Sequence, residues 1–163
     1  MKTIYIIILL MVCALQVKAQ TIYDLPPFER AVRIIKYFEQ PHPVSMYPYV
    51  GYGHRVLKGE HFKRLPLSER EADALLRKDL KKLCGMFRYL GKDSLIAAVL
   101  AYNVGYGAVH GNKTRRKSRL LQKLERGDRN IYKEYTSFCH WNGRMIPSIK
   151  NRRRVELRLL ASP

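Results

Sequence analysis

Acidic residues are scarce in this 163-residue sequence, where 13 Asp and Glu stand against 31 Lys and Arg and leave a formal charge of +18. Such a balance favours partners that carry many negative charges: nucleic acid, a membrane surface or an anionic wall polymer. The chain also lacks internal repeats, low-complexity tracts and long linkers. Its length suits one domain with a core of its own.

Long hydrophobic runs are missing, apart from one at residues 4–15. That run is too short to span a bilayer comfortably. A lysine precedes it, and two small residues, Val17 and Ala19, follow at the positions that a signal peptidase reads. We therefore expect a signal peptide over residues 1–19 and an exported protein, periplasmic or secreted, that begins at Gln20. A retained anchor is the weaker alternative, and N-terminal mass analysis of the exported chain distinguishes the two.

Cysteine and metal-ligand patterns are sparse as well. Of the three cysteines, Cys84 and Cys139 lie in the expected mature domain of residues 20–163, where an oxidising compartment permits a disulfide. Both stand beside apolar residues, so buried free thiols are an equal alternative. The five histidines show no spacing typical of a metal site, and we expect none.

Hydrophobic periodicity predicts a helix over residues 27–39. Pro41 prevents this helix from continuing, which places Glu39 in its last turn. The next segment, residues 44–59, has no helical period, and its glycine-broken apolar residues predict a short β-sheet.

The second half of the chain is predicted to be helical. Ser68 and Glu71 form a capping box that opens a long amphipathic helix. Residues 95–102 are apolar on every side, as expected for the buried centre of a helical domain. Three further elements follow: a basic helix over residues 118–126, a helix capped by Asp128, and a last helix capped by Ser148 after a turn at 141–147. The predicted fold class is α+β, mainly α, with a small β-containing lobe between an N-terminal helix and a larger helical lobe.

Glu39 is the candidate catalytic acid, because residues 40–59 contain no other carboxylate. The negative end of the helix dipole and the apolar neighbours Phe38 and Pro41 favour a protonated carboxyl, whereas the positive charge of the protein acts in the opposite direction. A general acid needs the protonated form. The alternative is a solvated acid at a helix end.

The Gly-Tyr-Gly-His sequence at residues 51–54 supplies a second set of candidates. Its glycines permit a tight turn and a close backbone approach. His54 is positioned to orient a neighbouring acid by hydrogen bonding, or to act as an ordinary structural histidine.

Taken together, five segments resemble the phage-type lysozymes, the muramidases of glycoside hydrolase family 24. They run in order over residues 28–160 and read FE, GYGH, AAVLAYNVGYGA, LLQKLERGD and WNGRMIPSIKNRRRVE. The resemblance implies a lysozyme-like fold, cleavage of the MurNAc-GlcNAc strand of peptidoglycan with Glu39 as acid, and no cofactor. Residues 47–80 are similar to the branch found among conjugative-transfer proteins of Bacteroides-type bacteria, which implies local wall opening and partners in a conjugation apparatus.

The sequence departs from that family at two positions. The family pattern places an Asp and then a Thr after its acid, but Pro48 and His54 stand there when counted from Glu39, and Pro43 and Tyr49 when counted back from Gly51. Because glycoside hydrolysis with water normally uses two carboxylates, a single acid implies substrate assistance or lytic transglycosylation. Glu60 is a more distant acid in a predicted exposed loop. The supporting groups that remain are His54, Tyr49, Tyr47 and Ser45, and the expected substrate contacts are Gly51, Tyr52, Gly53 and Asn103.

Two basic clusters lie at residues 112–119 and 150–154. The first contains Arg115, Arg116 and Lys117 in a predicted loop, where we expect it to contact an anionic polymer; a solvated face is the alternative. The second matches the family's final helix, whose role the resemblance implies to be mostly structural.

Three functions remain open at this point. The first is an exported glycosidase that cuts peptidoglycan, and the second is an inactive lysozyme-like protein that binds the wall or supports a conjugation apparatus. The third is a cationic nucleic-acid or membrane binder, against which the signal peptide and the lack of a basic amphipathic helix with a broad apolar face both count. We expect a monomer with peptidoglycan as partner, without nucleic-acid binding or stable membrane insertion.

Overall fold

The computed structural model describes residues 21–161, so the predicted signal peptide lies outside the described residues. Helices dominate, accompanied by two small antiparallel hairpins, which confirms the mainly helical α+β prediction. The helices are α1 (Pro27–Glu39), α2 (Glu69–Met86), α3 (Ser94–Val104), α4 (Tyr106–His110), α5 (Arg119–Glu125), α6 (Tyr132–Thr136) and α7 (Pro147–Leu160). The strands are β1 (Tyr49–Val50), β2 (His54–Arg55), β3 (His140–Trp141) and β4 (Arg144–Met145). Within residues 21–161, no helix combines the length and apolar character needed to cross a membrane.

The core is built around α3. Every residue from Ile96 to Ala101 is buried, as expected for a helix without a polar face. Helices α1, α2 and α7 all pack against it. The polar residues Tyr102 and Asn103 come directly after this buried run, so the C-terminal end of α3 reaches the surface beside the end of α1.

The predicted short β-sheet is confirmed as the β1–β2 hairpin, in which Val50 pairs with His54. Gly51 turns the chain at a φ of +56°, and a Cβ there would lie 3.3 Å from the Cβ of Ala72 on α2. Tyr52 is buried next to this contact and donates a 2.5 Å hydrogen bond to Glu69. Burial, together with this bond, raises the pKa of Tyr52 to about 12. The hairpin is therefore fixed against α2.

Ion pairs join α1 to α2. Lys36 of α1 lies 2.7 Å from Glu69 and 2.5 Å from Asp73 of α2. Arg77 lies 2.6 Å from both Asp73 and Glu29. Partly exposed pairs of this kind contribute about 1 kcal/mol or less each, but together they fix the rotation of α1 and with it the direction of its last turn.

Two of the predicted caps are wrong. Ser68 and Glu71 form the expected capping box, but Asp128 does not cap α6; its carboxylate accepts a hydrogen bond from the backbone N–H two residues on. Ser148 lies inside α7, which begins at Pro147. A proline is well suited to the first helical position because that position needs no N–H donor.

The segment predicted as a simple turn at residues 141–147 contributes to the β3–β4 hairpin. Asn142 and Gly143 make its two-residue turn, both with positive φ, which is the combination that an Asn-Gly hairpin turn requires. This hairpin leaves Trp141 exposed at 69%.

The two cysteines of the described chain are free thiols, so the disulfide alternative is wrong. Cys84 is partly buried in α2 and Cys139 is buried beside β3. Burial raises the pKa of the Cys84 thiol, which makes it less reactive.

Candidate active site

A pocket of about 240 Å³ lies where α1, the β1–β2 hairpin and α3 meet. Its walls come from the last residue of α1, the loop that follows, the hairpin turn and the end of α3. The lining residues are Glu39, His42, Met46, Tyr49, Gly53, Tyr102 and Asn103. The stop signal at Pro41 and the apolar run of α3 thus bring Glu39 and Asn103 to the same place.

The two carboxylate oxygens of Glu39 have different surroundings. Oε1 accepts a hydrogen bond from Arg152 Nη1 at 2.6 Å and another from Asn103 Nδ2 at 3.0 Å. Oε2 lies 3.9 Å from the point that a Cβ on Gly53 would occupy, and no hydrogen bond to it is formed within residues 21–161. One oxygen is therefore held by the protein, while the other faces the pocket.

Glu39 belongs to a closed ring of five side chains. Arg152 Nε donates to Glu156 Oε1 at 2.8 Å, and Arg153 Nη1 donates to Glu156 Oε2 at 2.5 Å. Arg153 Nη2 donates to Asn103 Oδ1, and Asn103 Nδ2 donates to Glu39 Oε1, which closes the ring. Arg153 and Glu156 are fully buried, at 0% exposure. Two cations and two carboxylates balance one another inside the protein.

Arg152 is the member of the ring that touches the candidate acid. Burial would lower the pKa of Arg152, but the charges of Glu156 and Glu39 raise it above its usual value. Its guanidinium also lies over the ring of Phe38, 5.5 Å from the centroid. The expectation that apolar groups would surround Glu39 is thus wrong in one respect: a buried cation contacts the carboxylate.

His54 hydrogen-bonds to acids, but Glu39 is not one of them. Its Nδ1 lies 2.6 Å from Asp79 of α2, and its Nε2 lies 2.8 Å from Glu60. The backbone N–H of Leu57 and the His54 ring together lower the pKa of Glu60. His54 therefore ties β2 and the following loop to α2, and Glu60 does not line the pocket.

The other predicted residues fall into three groups. Those that line the pocket with Glu39 are Tyr49, Gly53 and Asn103. Those that are exposed and outside its lining are Ser45 and Tyr47. Those that are buried and outside its lining are Gly51 and Tyr52. The last two act through the fold, because they seat the hairpin on α2.

The predicted basic cluster is exposed. Lys117 pairs with Glu125 at 2.7 Å. Arg115 lines a second groove of about 610 Å³, which also contains the exposed Trp141 and reaches Asn103. Because Asn103 lines both cavities, the groove and the Glu39 pocket adjoin each other along one side of the protein.

Sequence reasoning missed two residues of the site, Arg152 and His42. For Arg152 the available signal is its spacing: Arg152 and Glu156 are four residues apart on a face that also carries buried Leu159. Charged residues on an apolar face require partners. For His42 the signal is its position, because it is the titratable residue closest in sequence to Glu39 within the acid-free segment.

Residues 21–161 contain no cluster of His, Cys, Asp and Glu that could hold a metal ion. In a comparison with protein families, the family model described as phage lysozyme matches residues 36–156. That span includes Glu39, the pocket walls and the buried ring, and it agrees with the mainly helical architecture. No curated protein matches the chain.

Proposed function

Because this chain belongs to the phage lysozyme family, whose members are peptidoglycan-cleaving muramidases, we propose that it cuts the MurNAc-GlcNAc glycan strand with Glu39 as general acid. The observation that carries this proposal is the placement of Glu39, with Oε1 held by Arg152 and Asn103 and Oε2 turned to the pocket. A fixed acid with one accessible oxygen suits proton transfer to a bound glycosidic oxygen.

In this mechanism the Glu39 carboxylate first takes up a proton on Oε2, and this proton passes to the glycosidic oxygen as the bond to the anomeric carbon breaks. Negative charge then develops on the Glu39 carboxylate. Arg152 and Asn103 already donate to Oε1, so they stabilise this charge without having to move. Fixed donors aimed at a developing charge stabilise the transition state more than the ground state.

The usual second carboxylate is not part of the described pocket, where Glu39 is the only acid in the lining. Asp79 and Glu60 are both bound to His54. The reaction therefore differs from the two-carboxylate scheme, and lytic transglycosylation is the second candidate activity. An inactive wall-binding protein of a conjugation apparatus is the third.

Digestion of purified peptidoglycan, followed by mass analysis of the muropeptides, tests the proposal. We expect cleavage of the glycan strand. Products with reducing ends indicate hydrolysis, and products with anhydro-muramic ends indicate transglycosylation. Intact sacculi after prolonged incubation with folded protein would contradict the proposal and favour the binding role.

The exposed cluster Arg115, Arg116 and Lys117 is proposed to hold the anionic wall polymer next to the groove. Replacing all three by Gln should weaken sacculus binding and reduce its salt dependence, because exposed charges act over about 8 Å at physiological ionic strength. Co-sedimentation with sacculi across a salt series measures both effects.

A triple Gln replacement of the exposed residues Lys81, Lys82 and Arg88 is the matched control, since it removes the same charge elsewhere. If both triple variants bind equally well, net charge rather than this cluster governs binding.

The setting that we propose is an exported enzyme that opens the wall locally during conjugation. Its support comes from the sequence alone: the leader-like N-terminal segment and the resemblance of residues 47–80 to conjugative-transfer proteins. Finding the protein uncleaved in the cytosol of its native cell would contradict this setting without affecting the enzymatic proposal.

A further inference from the structure

The pocket contains an imidazole, that of His42, beside Glu39. We propose that His42 is the general base of the reaction and accepts the proton of the attacking hydroxyl, in place of a second carboxylate. This inference rests on the proposed glycan cleavage and extends it to the group that activates the nucleophile.

His42 is held in place by its backbone and its ring. The backbone N–H of His42 donates a 2.7 Å hydrogen bond to the backbone carbonyl of Gly51 in the hairpin turn. The imidazole lies edge-on to Tyr49, with ring centroids 6.4 Å apart. Pro41 and Pro43 flank it and restrict the backbone on both sides. The ring is therefore positioned by three local constraints, although it lies in a loop.

The ring of His42 and the free oxygen of Glu39 border the same gap. The Cβ that Gly53 lacks would stand 3.5 Å from His42 Cε1 and 3.9 Å from Glu39 Oε2. Gly53 also has a φ of +95°, a conformation that favours glycine. The absence of a side chain at this position keeps the space between the two groups open for a substrate.

His42 also has an unused polar atom. Its Nδ1 is buried and has no hydrogen-bond partner among the described residues. Buried polar atoms are normally hydrogen-bonded, and exceptions cluster where a ligand or a reaction supplies the partner. Because this nitrogen is buried, the ring has to turn before it meets a hydroxyl in the pocket, and rotation about Cβ–Cγ places a ring nitrogen where Cε1 now borders the gap.

The other polar groups of the pocket are poorly suited to this role. Burial raises the pKa of Tyr102 far above its usual range, and its hydroxyl donates to the Tyr52 carbonyl at 2.9 Å. Tyr49 carries a phenol, whose oxygen is a weaker base than an imidazole nitrogen. Asn103 is an amide, and the nearby Arg152 is a cation. Among the described lining residues, His42 is the remaining side chain with a basic nitrogen.

Two proton transfers accompany the exchange of bonds at the anomeric carbon. The attacking oxygen, from water or from the sugar's own 6-hydroxyl, bonds to the anomeric carbon and gives its proton to the His42 imidazole. The bond from the anomeric carbon to the leaving oxygen breaks, and that oxygen takes the proton of Glu39. The imidazolium and the carboxylate that result exchange one proton through solvent, which restores both groups for the next turnover.

Two replacements of His42 differ only in whether a base is present. His42→Asn removes the base, and we expect kcat to fall by about 10²–10⁴-fold, the usual contribution of a positioned base, with sacculus binding and thermal midpoint unchanged. His42→Asp restores a carboxylate and should recover much of the lost kcat. The pH dependence of kcat should also differ between His42→Asn and the unmodified protein, because a group that takes part in proton transfer is gone.

His61→Gln, at an exposed histidine outside the pocket, is the control and should keep full activity. An unchanged kcat in His42→Asn would overturn the role of His42 while the proposed cleavage stands. Equal losses in the Asn and Asp variants, with the same pH profile as the unmodified protein, would reduce His42 to a structural residue. Absence of cleavage by the unmodified chain would overturn the proposed function itself, and muropeptide ends identify which hydroxyl attacks.

Discussion

Glu39→Gln is expected to abolish clearing of peptidoglycan in a zymogram, with a rate loss of about 10²–10⁴-fold. The amide oxygen of Gln can still accept from Arg152 and Asn103, so the shape of the pocket is kept. The Gln side chain, however, has no acidic proton that it could transfer to the leaving oxygen. The test therefore separates proton donation from binding, which co-sedimentation with sacculi should show to be intact.

Glu39→Gln should also lower the free energy of unfolding by about 1–2 kcal/mol, because the hydrogen bond from the charged Arg152 side chain to residue 39 is weakened. An anion at a helix C-terminus is by itself unfavourable. The 2.6 Å contact between Glu39 and buried Arg152 outweighs that unfavourable position. Chemical denaturation of both proteins measures the difference.

Glu60→Gln is the matched control for Glu39→Gln. Glu60 is bound by Leu57 and His54 rather than exposed to the pocket, so most of the activity should remain. An active Glu39→Gln protein would place the acid elsewhere. A folded but inactive Glu60→Gln protein would show that a second carboxylate is needed after all.

Glu156→Gln is expected to have the largest effect on stability. Glu156 is fully buried and accepts hydrogen bonds from Arg152 and Arg153. Removal of its charge leaves Arg153 without a carboxylate in the core, and breaking a buried pair from one side costs about 3–5 kcal/mol. Urea unfolding followed by far-UV circular dichroism measures this change in the free energy of unfolding.

Activity should fall in the same variant, because Arg152 and Asn103 lose the support that directs them at Glu39. The control is Glu125→Gln, which breaks the partly exposed pair with Lys117 and should cost about 1 kcal/mol or less. A Glu156→Gln protein as stable as this control would mean that the ring does not stabilise the fold.

Several features of the site follow from local sequence signals. Pro41 ends α1 at Glu39 because a proline disfavours a helical residue before it and supplies no N–H. Ser68 and Glu71 begin α2 through reciprocal hydrogen bonds. The apolar run of α3 can only be buried, so the residues after it reach the surface beside the core. These interactions involve neighbours within about one helical turn, which is why the sequence reveals them.

Other local signals compete, and the sequence alone does not decide between them. Asp128 and Ser148 are both good caps by residue type, but Pro147 takes the first position of α7, and the Asp128 carboxylate binds its own turn instead. His54 has suitable chemistry for a site, yet α2 brings Asp79 to it. In each case the result depends on which partner is nearest after folding.

Local sequence patterns are enough to predict the helical core, the end of α1 and the position of the single acid in its segment. Which groups contact that acid depends on how the helices and the hairpin pack. Arg152 lies 113 positions after Glu39. Helical periodicity places Arg152 on the same face as Glu156, but it does not predict the contact between Arg152 and Glu39. Likewise, only the folded hairpin, with Gly53 at its turn, brings His42 to the gap beside Glu39. Long-range contacts depend on how the elements pack, whereas periodicity and caps depend only on neighbours along the chain.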